Sequence, residues 1–243
     1  MRNVKCGNMA ELAPYKIFYW GIPFRGNFPK LLLSYKGVGF EEASVPEVLE
    51  LKNAKVGSTP AVFFAPPLLY DRESDLYMSQ TGAIMMYLGG KLGMVPSDVW
   101  LSSMQTKVMN DASDVLGELS RNNGSQMWNK EAWDVFMAPD GRFVKWLSVF
   151  ETQGAKCGLT ADGGFYLGTP AATVADVVVL SLFGTMARCL PKMAPMLNEY
   201  MPRVMALVGR LSSNAGVAAF FERQGTGVYC GGQIEASIKS MLD

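Results

Sequence analysis

At "GMVPSD", residues 93–98, the hydrophobic pattern of this chain changes period. Upstream, short strand-like runs alternate with helical ones. "YKIFYW" reads as a strand, "PKLLLSYKGV" as a helix and "PEVLELKNAK" as a short helix. "PAVFFA" and "LLYD" read as two further strands, and "SQTGAIMMYLGGKLG" as a helix stopped by glycine. Downstream no run reads as a strand. "LSSMQTKVMNDASDVLGELS", "TVADVVVLSLFGTMARCL" and "GQIEASIKSML" all space their apolar residues as a helix does. The expected fold class is therefore α/β followed by all-α. An extension covers residues 1–14, a β-α-(short α)-β-β-α layer residues 15–94, and an all-helical domain residues 98–243.

Composition narrows the chemistry. The 243 residues are 49% hydrophobic and 18% charged, enough to bury a core, and the formal net charge is +0. No dense Lys/Arg block gives nucleic acid or an anionic membrane a reason to bind. There is no histidine. That excludes Ser-His-Asp and Cys-His catalysis and imidazole-based zinc sites, leaving Tyr, Asp, Glu, Lys, Cys or a bound cofactor to move protons. Cys6, Cys157, Cys189 and Cys230 are scattered, as expected of free thiols in a reducing cytosol. No secretory signal is expected in "MRNVKCGNMAELAP", and the apolar run "AATVADVVVLSLFGTMA" is broken by Asp176 and reads as a core helix. Sixteen methionines read as core filling or an adaptable apolar pocket.

The strand "YKIFYW" ends in two aromatics with polar tips, Tyr19 and Trp20, just before Gly21 and Pro23 break it. By period 2, Tyr15, Ile17 and Tyr19 share one face and Trp20 points to the other. Ligands of sheet domains gather at the carboxyl ends of strands, which favours Tyr19 over Tyr15 as a functional group.

Five stretches in order carry a resemblance: "YKIFYWGI", "GSTPAVFF", "LYMSQTGAIMMYLGGKLG", "FYLGTPAATVADVVVL" and "YMPRVMALVGRLSSNAGVAAFFER". Together they resemble the cytosolic glutathione transferases, over roughly residues 15–225, with the opening strand most similar to the sigma and mu classes. The resemblance implies a thioredoxin-like domain that binds glutathione as co-substrate, followed by a helical domain, in a homodimeric cytoplasmic enzyme with no metal in its site. Tyr19 would donate its hydroxyl to the glutathione sulfur. Trp20 and Arg25 would contact glutathione, and Lys52, with Lys55 as its competitor, would pair with the glycyl carboxylate. Pro60 would be a cis-proline exposing the backbone of Thr59 to the cysteinyl part. Gln80 and Thr81 would hold the γ-glutamyl carboxylate. Asp114, with Glu118 as its competitor, would reach the glutathione amine of the partner subunit. "TVAD" reads instead as a capping box that assigns Asp176 to structure.

Physical chemistry supports that use of Tyr19. A thiol of pKa near ~8.5 is only slightly ionised at neutral pH, and a hydrogen bond to the charged form lowers its pKa. A tyrosine stays protonated and can supply that bond. The helix start behind Tyr19 adds backbone N–H groups and a dipole. The expected activity is attack of the thiolate on small apolar electrophiles. The alternatives are a glutathione-dependent isomerase of the sigma type and a non-catalytic ligand-binding or structural protein. Two departures from the family pattern stand out. Pro23 and Phe24 are inserted ahead of Arg25-Gly26, and "FFAPPLLYDRESDLYMSQ" is longer than the usual hairpin.

Overall fold

The computed structural model describes residues 12–243. Most of the expected 1–14 extension and Cys6 lie outside the described residues. Ala13 and Pro14 lie inside, and their carbonyls accept the guanidinium and the backbone N–H of Arg72.

Four strands form one mixed sheet in the order β2-β1-β3-β4: β1 (Tyr15–Phe18), β2 (Phe40–Glu42), β3 (Leu68–Asp71) and β4 (Leu76–Ser79). β1 runs parallel to β2 and antiparallel to β3. The alternation read in β1 is realised. Tyr15, Ile17 and Tyr19 enter the main core, while Phe18 enters a smaller one with Val48 and Leu68 on the other face. Helix α1 (Asn27–Tyr35) sends Leu31, Leu32 and Leu33 fully into the interior, each such burial stabilising by about 1.5–3 kcal/mol. Helix α2 (Val45–Asn53) starts on a capping box between Ser44 and Glu47, and α3 (Thr81–Lys91) returns beside α1.

Two expectations of the first half are corrected. "PAVFFA" forms no strand; residues 54–67 cross irregularly from α2 to β3, with Val62 and Phe64 in solvent. The three prolines at 60, 66 and 67 remove the N–H groups a ladder would need. The second correction adds β2 and β4. β2 is the three-residue edge "FEE", whose glutamates leave no apolar signal; Glu41 instead pairs with Lys16 and Arg72.

After a connection over residues 92–98, every element is helical. The set comprises α4 (Val99–Leu119), α5 (Lys130–Met137), α6 (Arg142–Lys156), α7 (Val174–Cys189), α8 (Ala194–Tyr200), α9 (Pro202–Ser212), α10 (Ala215–Gln224) and α11 (Gly232–Leu242). The buried Asp176 caps α7 as the sequence implied. One carboxylate oxygen accepts the N–H and hydroxyl of Thr173 at 2.8 and 2.9 Å, and the other the N–H of Tyr166 at 2.7 Å. α7 widens to π geometry over Leu180–Gly184 and packs against α4 and α1. No single helix among the described residues is long and apolar enough to cross a membrane.

Candidate functional site

The chain leaves β1 through a turn that the inserted residues build. The Ile22 N–H closes back on the Trp20 carbonyl at 2.6 Å, and Phe24 takes φ 39, in the left-handed region that non-glycine residues avoid. Its ring is buried edge-on to Tyr229 at 5.7 Å, which holds the strained residue in place. A 3-10 turn, Phe24–Gly26, then leads into α1. Tyr19 lies against this turn. A Cβ on Gly26 would sit 2.2 Å from Tyr19 Cδ1, so the tyrosine ring occupies the space that only glycine leaves.

Tyr19 is 5% exposed, and its ring edge opens on a cleft of about 890 Å³. Burial raises its pKa well above the usual phenol value, against the backbone N–H groups of Arg25 and Gly26, which favour the anion. The hydroxyl therefore keeps its proton at neutral pH. Tyr19 lines the cleft beside Trp20 and Arg25.

Across the cleft stands the N-terminus of α3. Gln80 is held at φ 70 and Thr81 is buried behind it; Thr81, Gly82 and Ala83 present the first turn to the space. Those first N–H groups have no partner within the helix, so they form a ready seat for a carboxylate. Gly82 lies close under α4, since a Cβ there would meet Met109 Cγ at 3.3 Å. The third side is made by residues 64–67, which end in a cis Pro66–Pro67 bond. The register pairs Phe18 with Leu68, which brings the residue before β3 alongside the residue after β1. Pro67 is thereby delivered beside Tyr19.

Helix α4 supplies the fourth side through Thr106, Asn110 and Ser113, and the chain's last segment adds Cys230 and Ile234. That segment is fastened by Glu235, whose carboxylate accepts the N–H groups of Tyr229, Cys230 and Gly231. Arg25 stands between this cleft and a second one of about 750 Å³. It donates to Ser113 Oγ at 2.8 Å. Burial pulls its pKa down, opposed through space by Tyr19, Tyr229 and Asp114.

Of the residues expected at the site, the structure gathers Tyr19, Trp20, Arg25, Gln80 and Thr81 around one cleft. It does not bring Lys52, Thr59 or Pro60 there. Lys52 is exposed on α2, and the Thr59 hydroxyl bonds to the Ala61 carbonyl at 3.1 Å. The cis bond expected at Pro60 is corrected to Pro67: the strand that such a proline precedes is β3, and β3 starts at Leu68. Asp114 lines the second cleft, beside Arg25 of its own chain. Glu118 is occupied by Arg142 and by the indole N–H of Trp146. The sequence reading missed residues 64–67, the α4 wall and Cys230. The doubled proline before "LLYD" and the 106/110/113 spacing were the available signals; for Cys230 there was none.

The family model described as "Glutathione S-transferase, C-terminal domain" matches residues 104–241. No curated protein sequence matches the chain at a significant level. Among solved structures the chain is similar to the Onchocerca volvulus Pi-class glutathione S-transferase, at 17% identity over 90% of this chain and 98% of that one, with a TM-score of 0.66. The glutathione S-transferase from Ascaris lumbricoides aligns at 20% identity over 86% and 97%, with a TM-score of 0.66. Prostaglandin synthase D of Nilaparvata lugens aligns at 18% identity over 86% and 98%, with a TM-score of 0.62. At such identities the likeness is one of fold.

Proposed function

This chain belongs to the glutathione S-transferase family, and from that premise we propose that it is a glutathione transferase whose Tyr19 activates the thiol of bound glutathione. The observation that carries the reading is the Tyr19 hydroxyl itself: buried, kept protonated, and open to a cleft whose opposite side is a free helix N-terminus.

Glutathione enters with its γ-glutamyl carboxylate on the first turn of α3, held by the backbone N–H groups and the Thr81 hydroxyl, with Gln80 beside it. Its peptide part runs along residues 65–67, which take the place that the resemblance gave to Thr59 and Pro60. Trp20 flanks the glycyl end. The sulfur comes to rest at the Tyr19 hydroxyl. The donated hydrogen bond and the dipole of α1 favour the thiolate, which then attacks an electrophilic carbon while the thiol proton passes to solvent. No metal takes part. The protein acts in the cytosol as a homodimer. Phe64, 93% exposed at the rim of the cleft, and the exposed Trp100 on α4 are the aromatic groups that a second subunit would cover.

Retention on immobilised glutathione and conjugation of an aryl halide test the reading together. Retention with turnover that falls in Tyr19→Phe supports it. Equal turnover in the variant removes Tyr19 from the role. Retention without any conjugation leaves a ligand-binding protein.

A further inference from the structure

The turn that carries Tyr19 is held from the far end of the chain. Phe24 sits at φ 39, a conformation that a bulky residue keeps only while its surroundings enforce it. The contacts that do so come from residues 229–231. Tyr229 meets the Phe24 ring edge-on, and a Cβ on Gly231 would lie 3.6 Å from Ile22 Cγ2, two residues ahead of that corner. The two residues after Phe24 are the ones that serve Tyr19. The Arg25 and Gly26 N–H groups act on its oxygen, and Gly26 leaves room for its ring.

One carboxylate fixes the backbone of residues 229–231. Glu235 is 6% exposed. Its Oε2 accepts the N–H groups of Tyr229, Cys230 and Gly231 at 2.9, 2.9 and 2.5 Å, while Oε1 pairs with Lys239 at 2.6 Å. Three consecutive N–H groups converging on one oxygen make an anion-binding hollow, filled here by the chain's own acid. Gly231 and Gly232 turn the backbone at φ 71 and 66, where glycine is unstrained and also least restrained once the carboxylate is gone. The buried Tyr229 hydroxyl has no hydrogen-bond partner among the described residues. No polar contact of its own orients the ring, so its heading is set by packing and by the N–H that Glu235 holds.

Resting on the reading of Tyr19 as the group that activates the glutathione thiol, we propose that Glu235 is a positioning residue for that step, acting through Tyr229 and Phe24. Glu235 itself does not line the cleft. It holds residues 229–231 against the turn, Tyr229 holds the Phe24 corner, and the corner aligns the Arg25 and Gly26 N–H groups with the Tyr19 oxygen. Donors on that oxygen polarise the hydroxyl and strengthen the hydrogen bond it gives to a thiolate. Without the carboxylate, Phe24 relaxes to a negative φ, the two N–H groups turn away and Tyr19 becomes a weaker donor. The inserted Pro23 and Phe24 create the need for this support, because the left-handed residue belongs to the insertion.

The test titrates the thiolate of protein-bound glutathione by its ultraviolet absorbance, beside the pH profile of kcat/KM for an aryl halide. Glu235→Ala should lower kcat/KM at neutral pH about tenfold and move both titrations up by about one pH unit, with the rate recovering at higher pH. Glu235→Gln, which keeps one acceptor oxygen, should fall between it and the wild type. Lys192→Met loosens α11 at its other end, where Lys192 pairs with Asp243, and should leave both titrations in place. In a Phe24→Gly background, where φ 39 carries no strain, Glu235→Gln should shift neither titration further. Titrations unmoved in the Glu235 variants overturn the proposal. So do equal shifts in Lys192→Met, which would make the effect a general loosening of α11, and additive shifts of Phe24→Gly and Glu235→Gln, which would break the link through Phe24. If Glu235→Ala does not fold, the Gln variant and its cycle with Phe24→Gly give the answer. A wild-type protein that forms no bound thiolate, or a Tyr19→Phe variant that titrates like the wild type, sinks the Tyr19 reading and this proposal with it. With those two as expected, a negative result at Glu235 sinks this proposal alone.

Discussion

Asn27 and Gln224 exchange hydrogen bonds through their side-chain amides. Asn27 Nδ2 donates to Gln224 Oε1 at 3.0 Å and Gln224 Nε2 donates to Asn27 Oδ1 at 2.6 Å. Asn27 is wholly buried and donates also to Thr185 Oγ1 at 3.0 Å. It is the first residue of α1, next to Gly26 on which Tyr19 rests. The turn that positions the hydroxyl is therefore tied to α7 and to the end of α10, parts of the chain more than 150 residues away.

Breaking that tie leaves buried amide and hydroxyl groups unpaired. Asn27→Ala should cost about 2–3 kcal/mol, read as a lower urea midpoint at unchanged slope. An effect below about 0.5 kcal/mol would mean that the pair is dispensable.

Tyr19→Phe keeps the ring that packs on Gly26 and removes only the donor. The expected loss in kcat/KM for aryl halide conjugation is about 10²-fold, the scale of one hydrogen bond to a developing or bound anion in a water-poor site. The rise of kcat/KM with pH should also move to higher pH, because the glutathione thiol loses the bond that favours its ionised form. Stability should change little. A profile that stays in place while the rate falls would assign the hydroxyl to orientation, not thiol activation.

The two glycines around this turn should behave differently. Gly26→Ala puts a methyl group 2.2 Å from the Tyr19 ring, so the ring must move. The cost should be about 1–3 kcal/mol together with a lower kcat. Gly21→Ala meets nothing within 4 Å and should be near neutral. Unfolding curves and single-turnover rates for the pair decide the matter; similar behaviour of both variants would contradict the packing described.

How much of this was open to sequence reading depended on whether a signal was local. Alternation in "YKIFYW" put Tyr15, Ile17 and Tyr19 on one face, and "TVAD" named the cap of α7, because both patterns act within a few residues. β2 was lost because three residues with two glutamates carry no period; its place is set by pairing with β1. The cis-proline was placed at Pro60 because "GSTPAVFF" resembles a loop and strand entry, whereas the register of β3 against β1 decides which proline faces Tyr19. Cys230 and Ile234 reach the cleft only because Glu235 folds the last segment back over it. No pattern near residue 19 encodes that approach. The insertion of Pro23 and Phe24 was visible in the sequence, but its consequence was not. Phe24 becomes the left-handed corner of the turn, anchored on Tyr229 from the far end of the chain.

Two buried thiols contribute to the response to alkali, alongside buried tyrosines such as Tyr166 and Tyr229. Burial pushes Cys230 up to about 12 and Cys189 up to about 11, from 9.0. A group whose folded pKa is raised ionises first in the unfolded chain, so stability is intact below the unfolded value and falls as pH climbs toward the folded one. The loss should span the interval from 9.0 to about 12. Tyr19, raised by burial as well, extends the loss in the same direction. Urea midpoints at about pH 8 and about pH 10.5 should differ, and Cys189→Ala with Cys230→Ala should flatten the decline. A midpoint that holds constant across this range would show that both thiols ionise as readily in the folded protein as in the unfolded chain.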